Sequence, residues 1–393
     1  MRPMHLLMLL AGDANMASAR VRGYWIADAL KKMGRVVEVR QADRLSQYPV
    51  LLPAIARADA VLFRKKYGRY DLVAARICRL TGKRVLFDID DAPSRTCSDA
   101  TMGRAGQMMR LSHGVLAGSA ALAGLARRYQ DAVHLLPSGL YPDAYPRKSH
   151  AAGDRICLGW IGNGAHYADD LIDLLAEPLA RVARRRPLSF RLVGACGVRR
   201  LHDTFGAIER LEADLVDRID WSDPKAVSAA VAPFDIGLYP LLPGPFNDYK
   251  CAFKALEYMA CALPVIASDV GANAEIVRDE ETGLLCRTAD DWAAAIERLA
   301  AGPDLRRSFG AAGRRIVEDR YAIPRLAARI ETILRCDAIR IQSRGPGQSR
   351  TASGPLQDAE RRDARHPQAP RSRAGGPDAP IEAPDDFLES GFP

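Results

Sequence analysis

Apolar residues recur along this chain in short runs separated by longer, helically spaced stretches. HLLMLLA at 5–11 reads as a buried strand, and 18–33 repeats apolar positions at helical spacing. Strands follow at 35–40, 59–63, 84–89 and 114–117, with helices at 69–80 and 119–130. At 134–150 three prolines and a Ser-Gly break the pattern, which predicts a linker. The rhythm then restarts with strands at 156–161, 189–193, 218–221, 235–239, 263–267 and 283–286. Helices fit 169–184, 224–232, 250–262, 272–278, 289–300, 303–319 and 323–337. Strands alternating with helices predict an α/β fold of two Rossmann-like parallel-sheet domains whose carboxyl ends face across a cleft. The expected division is a first domain at 1–140, a linker at 141–155, a second domain at 156–318, a terminal helix at 319–339 returning toward the first domain, and a tail at 340–393.

Composition changes this picture at the C-terminus. Residues 340–393 are rich in Pro, Gly, Ser and Arg, with eight Arg balanced by eight acids, and predict a disordered tail. The formal charge of +8 therefore belongs to the body. A basic body suits phosphorylated small molecules, an anionic membrane face or nucleic acid, or it has no specific meaning. No zinc-finger spacing or RNA-binding aromatic pair is present, so nucleic acid is not expected. The eight cysteines are scattered without metal-site spacing, as for buried thiols in a reducing compartment, and no metal is expected. MRPMHLLMLLAG is read as a first strand rather than a signal peptide, because its apolar run ends at Asp13. The expected location is cytoplasmic, with peripheral contact at the inner face of an anionic membrane as a further expectation.

The richest stretch is 239–278. A Pro- and Gly-rich loop leads into a predicted helix opening near Asn247 or Asp248, either of which can cap it. On that helix Lys250, Lys254 and Glu257 fall at i, i+4 and i+7, one polar stripe. A helix N-terminus with a lysine suits phosphate oxygens, and Glu257 suits two ribose hydroxyls. A solvated Lys-Glu face is the plain alternative.

The run Glu257-Tyr258-Met259-Ala260-Cys261-Ala262-Leu263-Pro264-Val265-Ile266-Ala267-Ser268, with Gly271, Glu275 and Ile276 after it, resembles the donor-binding region of retaining glycosyltransferases of the GT-B fold, specifically glycosyltransferase family 4 (group 1). The resemblance implies a divergent member of that family. It implies a nucleotide-diphosphate sugar as donor substrate, retention at the anomeric carbon, no tightly bound cofactor, and Glu257 on the donor ribose. The family's first Glu, eight positions earlier, is Tyr249 here, and Ala262 replaces its usual Gly. Asp248, Lys250 or a backbone group would then have to address the donor sugar, or activity is altered.

The turn Gly162-Asn163-Gly164 after the second domain's first strand permits close backbone approach to a phosphate. No Lys or Arg occurs from Gly159 to Asp173, so Lys250 and Lys254 are expected to neutralise the phosphates, helped by Arg199 or Arg200. In the first domain, Arg20 and Arg22 are expected to aim at an anion in the cleft, or to occupy a solvated first turn. Asp88, Asp90 and Asp91 end a strand and suit acceptor-side hydrogen bonds, a divalent cation, or merely a helix cap. His113 reads as structural.

The resemblance implies sugar transfer to a hydroxyl of a glycan or lipid-linked acceptor. A degenerate GT-B protein that binds a nucleotide sugar or glycan without transfer is the alternative. A nicotinamide enzyme would need a compact G-x-G-x-x-G after the first strand, and Gly12 followed by DANMASAR does not supply it.

Overall fold

The computed structural model describes residues 4–41, 47–93, 99–150, 155–221 and 223–342. The expected tail lies almost wholly outside the described residues. Apolar runs in the first half form β1 (His5–Leu10), β2 (Val36–Gln41), β3 (Ala60–Arg64), β4 (Arg84–Ile89), β5 (Gly114–Ala117) and β6 (Val133–Leu135), a parallel sheet in the order β2-β1-β3-β4-β5-β6. The second half forms β7 (Ile156–Ile161), β8 (Leu188–Val193), β9 (Leu211–Val216), β10 (Ile236–Tyr239), β11 (Val265–Ser268) and β12 (Gly283–Cys286), parallel in the order β12-β11-β10-β7-β8-β9. Central strands such as β3, β4 and β10 are buried along their whole length, as expected when helices cover both faces of a parallel sheet.

Four local expectations are corrected. The strand expected at 218–221 is absent, and the edge strand is Leu211–Val216, whose apolar and acidic residues alternate. Its outward Asp214 meets Arg191 on β8 at 2.6 Å. Residues 133–135, partly assigned to the linker, add β6 at the edge of the first sheet. The helix at 18–33 carries a π-helical turn over Arg20–Tyr24. The helix expected from Asn247 or Asp248 begins only at Phe253, because Asn247–Tyr249 form a 3₁₀ turn and Ala252 takes a left-handed conformation at φ 50°.

The helix Ile323–Gln342 starts where Ala322 bridges Leu140, and its Glu331 pairs with Arg35 of the first domain. Among the described residues no helix is long and apolar enough to cross a membrane.

Candidate active site

The helix Phe253–Ala260 is fixed to the end of β7 by Ile161 N–H, which donates to the Tyr258 hydroxyl at 3.1 Å. That placement carries Lys254 over the glycine turn, where a β-carbon on Gly162 would overlap Lys254 Cε. The turn presses against the end of β8: Gly164 N–H donates to Gly194 O at 2.7 Å, and Gly194 sits at φ +92°. Asn163 caps the helix Gly164–Ala183 by accepting from Ala165 N–H. Gly162, Asn163, Gly164 and Lys254 therefore form one surface.

Lys254 Nζ stands 4.2 Å from the Tyr167 ring centroid, 5.1 Å from Tyr239 and 5.5 Å from Trp160. Such ring faces hold an ammonium without neutralising it. Burial raises the Tyr167 phenol, but Lys254 and Lys250 outweigh it and bring the group below its usual value. One turn along from Lys254, Glu257 is buried and accepts from the Tyr145 hydroxyl at 3.0 Å. Burial pushes its carboxyl up to about 7 against the opposing pull of Tyr145, Lys254 and Arg20.

Lys250 departs from the expected stripe. It precedes the helix, in extended conformation, and meets Asp91 of the first domain at 3.5 Å and the Phe246 ring at 4.0 Å. Its neighbour Cys251 donates to Asp90 O, while Tyr249 packs against the first domain's core. Glu275 likewise reaches across and accepts from Ala120 N–H, at the start of a first-domain helix, at 3.2 Å. The segment 249–251 thus joins the two carboxyl-end faces.

Asp248 is exposed and accepts weakly from Gly244 N–H at 3.4 Å; it caps no helix. Asn247 donates to Asp170 and to Leu242 O, which fixes the loop instead. Arg199 is exposed and lies 3.5 Å from Asp203, and Arg200 pairs with Asp169.

The acidic trio is already engaged by cations. Arg22 binds Asp88 through Nε at 2.9 Å and Nη2 at 2.7 Å, and gives Nη1 to Leu136 O, so it faces its own domain's interior. Arg64 holds Asp90 at 2.5 Å, and Lys65 holds Asp91 at 3.2 Å. Burial leaves Asp88 above the usual carboxylate range despite Arg22, whereas Lys250 and Lys65 overcome burial at Asp91 and hold it well below that range. Arg20 donates to Ala14 O and Asn15 O, on the side of Glu257. His113 Nδ1 accepts from Val85 N–H, a structural role. Among the described residues no group of three or more His, Cys, Asp or Glu is arranged to hold a metal ion.

Sequence reasoning missed Tyr145, Tyr167, Trp160, Tyr239, Arg64 and Lys65. The one available signal was the aromatic pair Trp160 and Tyr167 on either side of the glycine turn.

Comparison with known proteins bears on the same region. Residues 155–301 match the family described as "Glycosyl transferases group 1". Alpha-maltose-1-phosphate synthase of Mycolicibacterium smegmatis is 47% identical over 73 residues, 16% of this chain and 19% of that enzyme, so the chain spans about a fifth of that relative's length. Sucrose-phosphate synthase from Thermosynechococcus elongatus superposes with a TM-score of 0.67 at 16% identity, over 86% of this chain and 100% of that one. Anabaena HepE, in complex with UDP and glucose, superposes with a TM-score of 0.63 at 16% identity, over 85% and 100%. The two parallel sheets thus form a GT-B architecture, and the match to the group 1 glycosyl transferases is confined to residues 155–301.

Proposed function

We propose that the protein transfers a sugar from a nucleotide-diphosphate donor to a hydroxyl of a glycan or lipid-linked acceptor, with retention at the anomeric carbon. The observation that carries this reading is Lys254 lying over Gly162, one turn before the buried Glu257. Lys254 and Asn163 N–H are suited to the donor diphosphate, since Gly162 N–H and Gly164 N–H already donate to Val193 O and Gly194 O, and Glu257 is suited to the ribose hydroxyls. In the reaction the bond between the anomeric carbon and the phosphate oxygen breaks. The acceptor oxygen bonds to that carbon, and the hydroxyl proton is released. Negative charge grows on the departing phosphate, so a fixed cation there stabilises the transition state more than the ground state. Lys250, beside Asp91 of the first domain, is the second cation at this face. The UDP and glucose held by Anabaena HepE support the donor class, and a cytoplasmic location belongs to the same reading.

A second reading, binding without transfer, is favoured by one observation. Tyr249, at the position of the family's first Glu, packs against the first domain's core. The test is incubation of the purified chain with UDP-, GDP- and ADP-sugars and a panel of glycan and lipid-linked acceptors, following acceptor-dependent release of nucleoside diphosphate. Transfer with retained configuration supports the proposal; tight donor binding without any product supports the second reading.

A further inference from the structure

Six of the ten exposed large apolar side chains among the described residues lie on two neighbouring helices of the first domain. On Tyr48–Arg57 they are Val50 and Leu52; on Arg69–Leu80 they are Tyr70, Val73, Ile77 and Leu80. Val50 is 77% exposed and Leu80 87%. The second helix has two apolar faces. Leu72, Ala75 and Cys78 are buried in the domain core, while Tyr70, Val73, Ile77 and Leu80 recur at i, i+3, i+7 and i+10 on the opposite side. A surface helix ordinarily presents polar residues there, so this second stripe has no role in the core.

The two helices form one surface. The Tyr48 and Tyr70 rings lie 6.1 Å apart, and Leu51, Ala54 and Ile55 share the core with Leu72 and Cys78. The exposed charges on the two helices are of one sign. Arg69, Arg76 and Arg79 are exposed, and the helix's one acid, Asp71, is buried and accepts from Gly68 N–H. At the rim, Arg57 pairs with Glu38.

We propose that this face docks the protein in the plane of an anionic membrane, with Val50, Leu52, Val73, Ile77 and Leu80 entering the headgroup boundary and Arg69, Arg76 and Arg79 meeting anionic headgroups. Apolar side chains flanked by arginines, with no exposed acid on the helices, match that surface in both hydrophobicity and charge. The inference is independent of the transferase reading, since the patch lies outside the donor residues.

Flotation of the full chain with vesicles of phosphatidylcholine alone and of phosphatidylcholine with phosphatidylglycerol tests it. Binding is expected to the anionic vesicles, weakened by salt, and reduced roughly tenfold or more by either Leu52→Ser/Leu80→Ser or Arg69→Glu/Arg76→Glu. Circular dichroism and thermal unfolding of the same variants report that they are folded. No binding to anionic vesicles, equal binding to neutral ones, or binding untouched by both variants would overturn the proposal. So would a wild-type dimer that Leu52→Ser/Leu80→Ser dissociates, which would assign the face to a second copy.

Discussion

Lys254 lies so close over Gly162 that a methyl group there would displace its ε-carbon. The clash is with the movable end of a long side chain, although the Trp160 ring at 2.9 Å must also shift. Gly162→Ala should therefore leave the fold intact while moving the ammonium off the turn. We expect a loss of about tenfold in nucleotide-diphosphate affinity, comparable to one charge-assisted hydrogen bond, with a lowered melting temperature because the fully buried Trp160 ring must also move. Calorimetric titration beside thermal denaturation checks both halves.

Glu257 gives stability a pH dependence of defined sign. Its carboxyl is pushed by burial from 4.5 up to about 7, so the folded state holds the proton more tightly than the unfolded chain does. The associated stabilisation is complete below about pH 4.5. It is lost as pH rises to about 7, to a total of roughly 3 kcal/mol. Glu257→Gln should flatten this slope and exceed wild type in stability at pH 8. Urea denaturation between pH 5 and 8 measures it; parallel slopes in both proteins would contradict the assignment.

Asp91 carries the opposite sign. With Lys250 and Lys65 holding it well below the ordinary carboxylate range, its contribution is present above that range and lost as pH falls through it. Asp91→Asn should remove part of the acid sensitivity and cost about 1–3 kcal/mol near neutrality, since the pair is largely but not fully buried. Because Lys250 and Asp91 belong to facing domains, the variant should also open the cleft, seen as a larger radius of gyration in solution scattering.

Arg22 is predicted to stabilise its domain rather than bind a ligand. Arg22→Met leaves the Asp88 carboxylate buried without its main partner, a change that costs about 3–5 kcal/mol. Adding Asp88→Leu should recover a large part of that loss. Reduced nucleotide affinity at unchanged stability would place Arg22 at the ligand instead.

The two sheets were legible because buried parallel strands leave dense apolar runs, as at 59–63 and 235–239. The edge strand was misplaced because Leu211–Val216 is half solvated and spells an acidic alternation. Lys250 was placed on a helix because its spacing to Lys254 and Glu257 fits the helical period. The left-handed Ala252 that separates them carries no glycine to announce it. The fate of Asp88, Asp90 and Asp91 depended on Arg22, Arg64, Lys65 and Lys250, which only the folded chain brings near. Lys254 and Glu257 keep the expected one-turn spacing because both sit within one true helix.

The central claim is that Lys254 and Glu257 hold a nucleotide-diphosphate donor, and it is tested most directly by titrating UDP, GDP, ADP and their sugars into wild type, Lys254→Met and Glu257→Ala. The account predicts selective binding of one nucleotide by wild type, weakened about tenfold or more in each variant, with Lys254→Met losing chiefly the discrimination between diphosphate and nucleoside. Failure of the folded wild-type protein to bind any of these nucleotides, or binding indifferent to both substitutions, would contradict it.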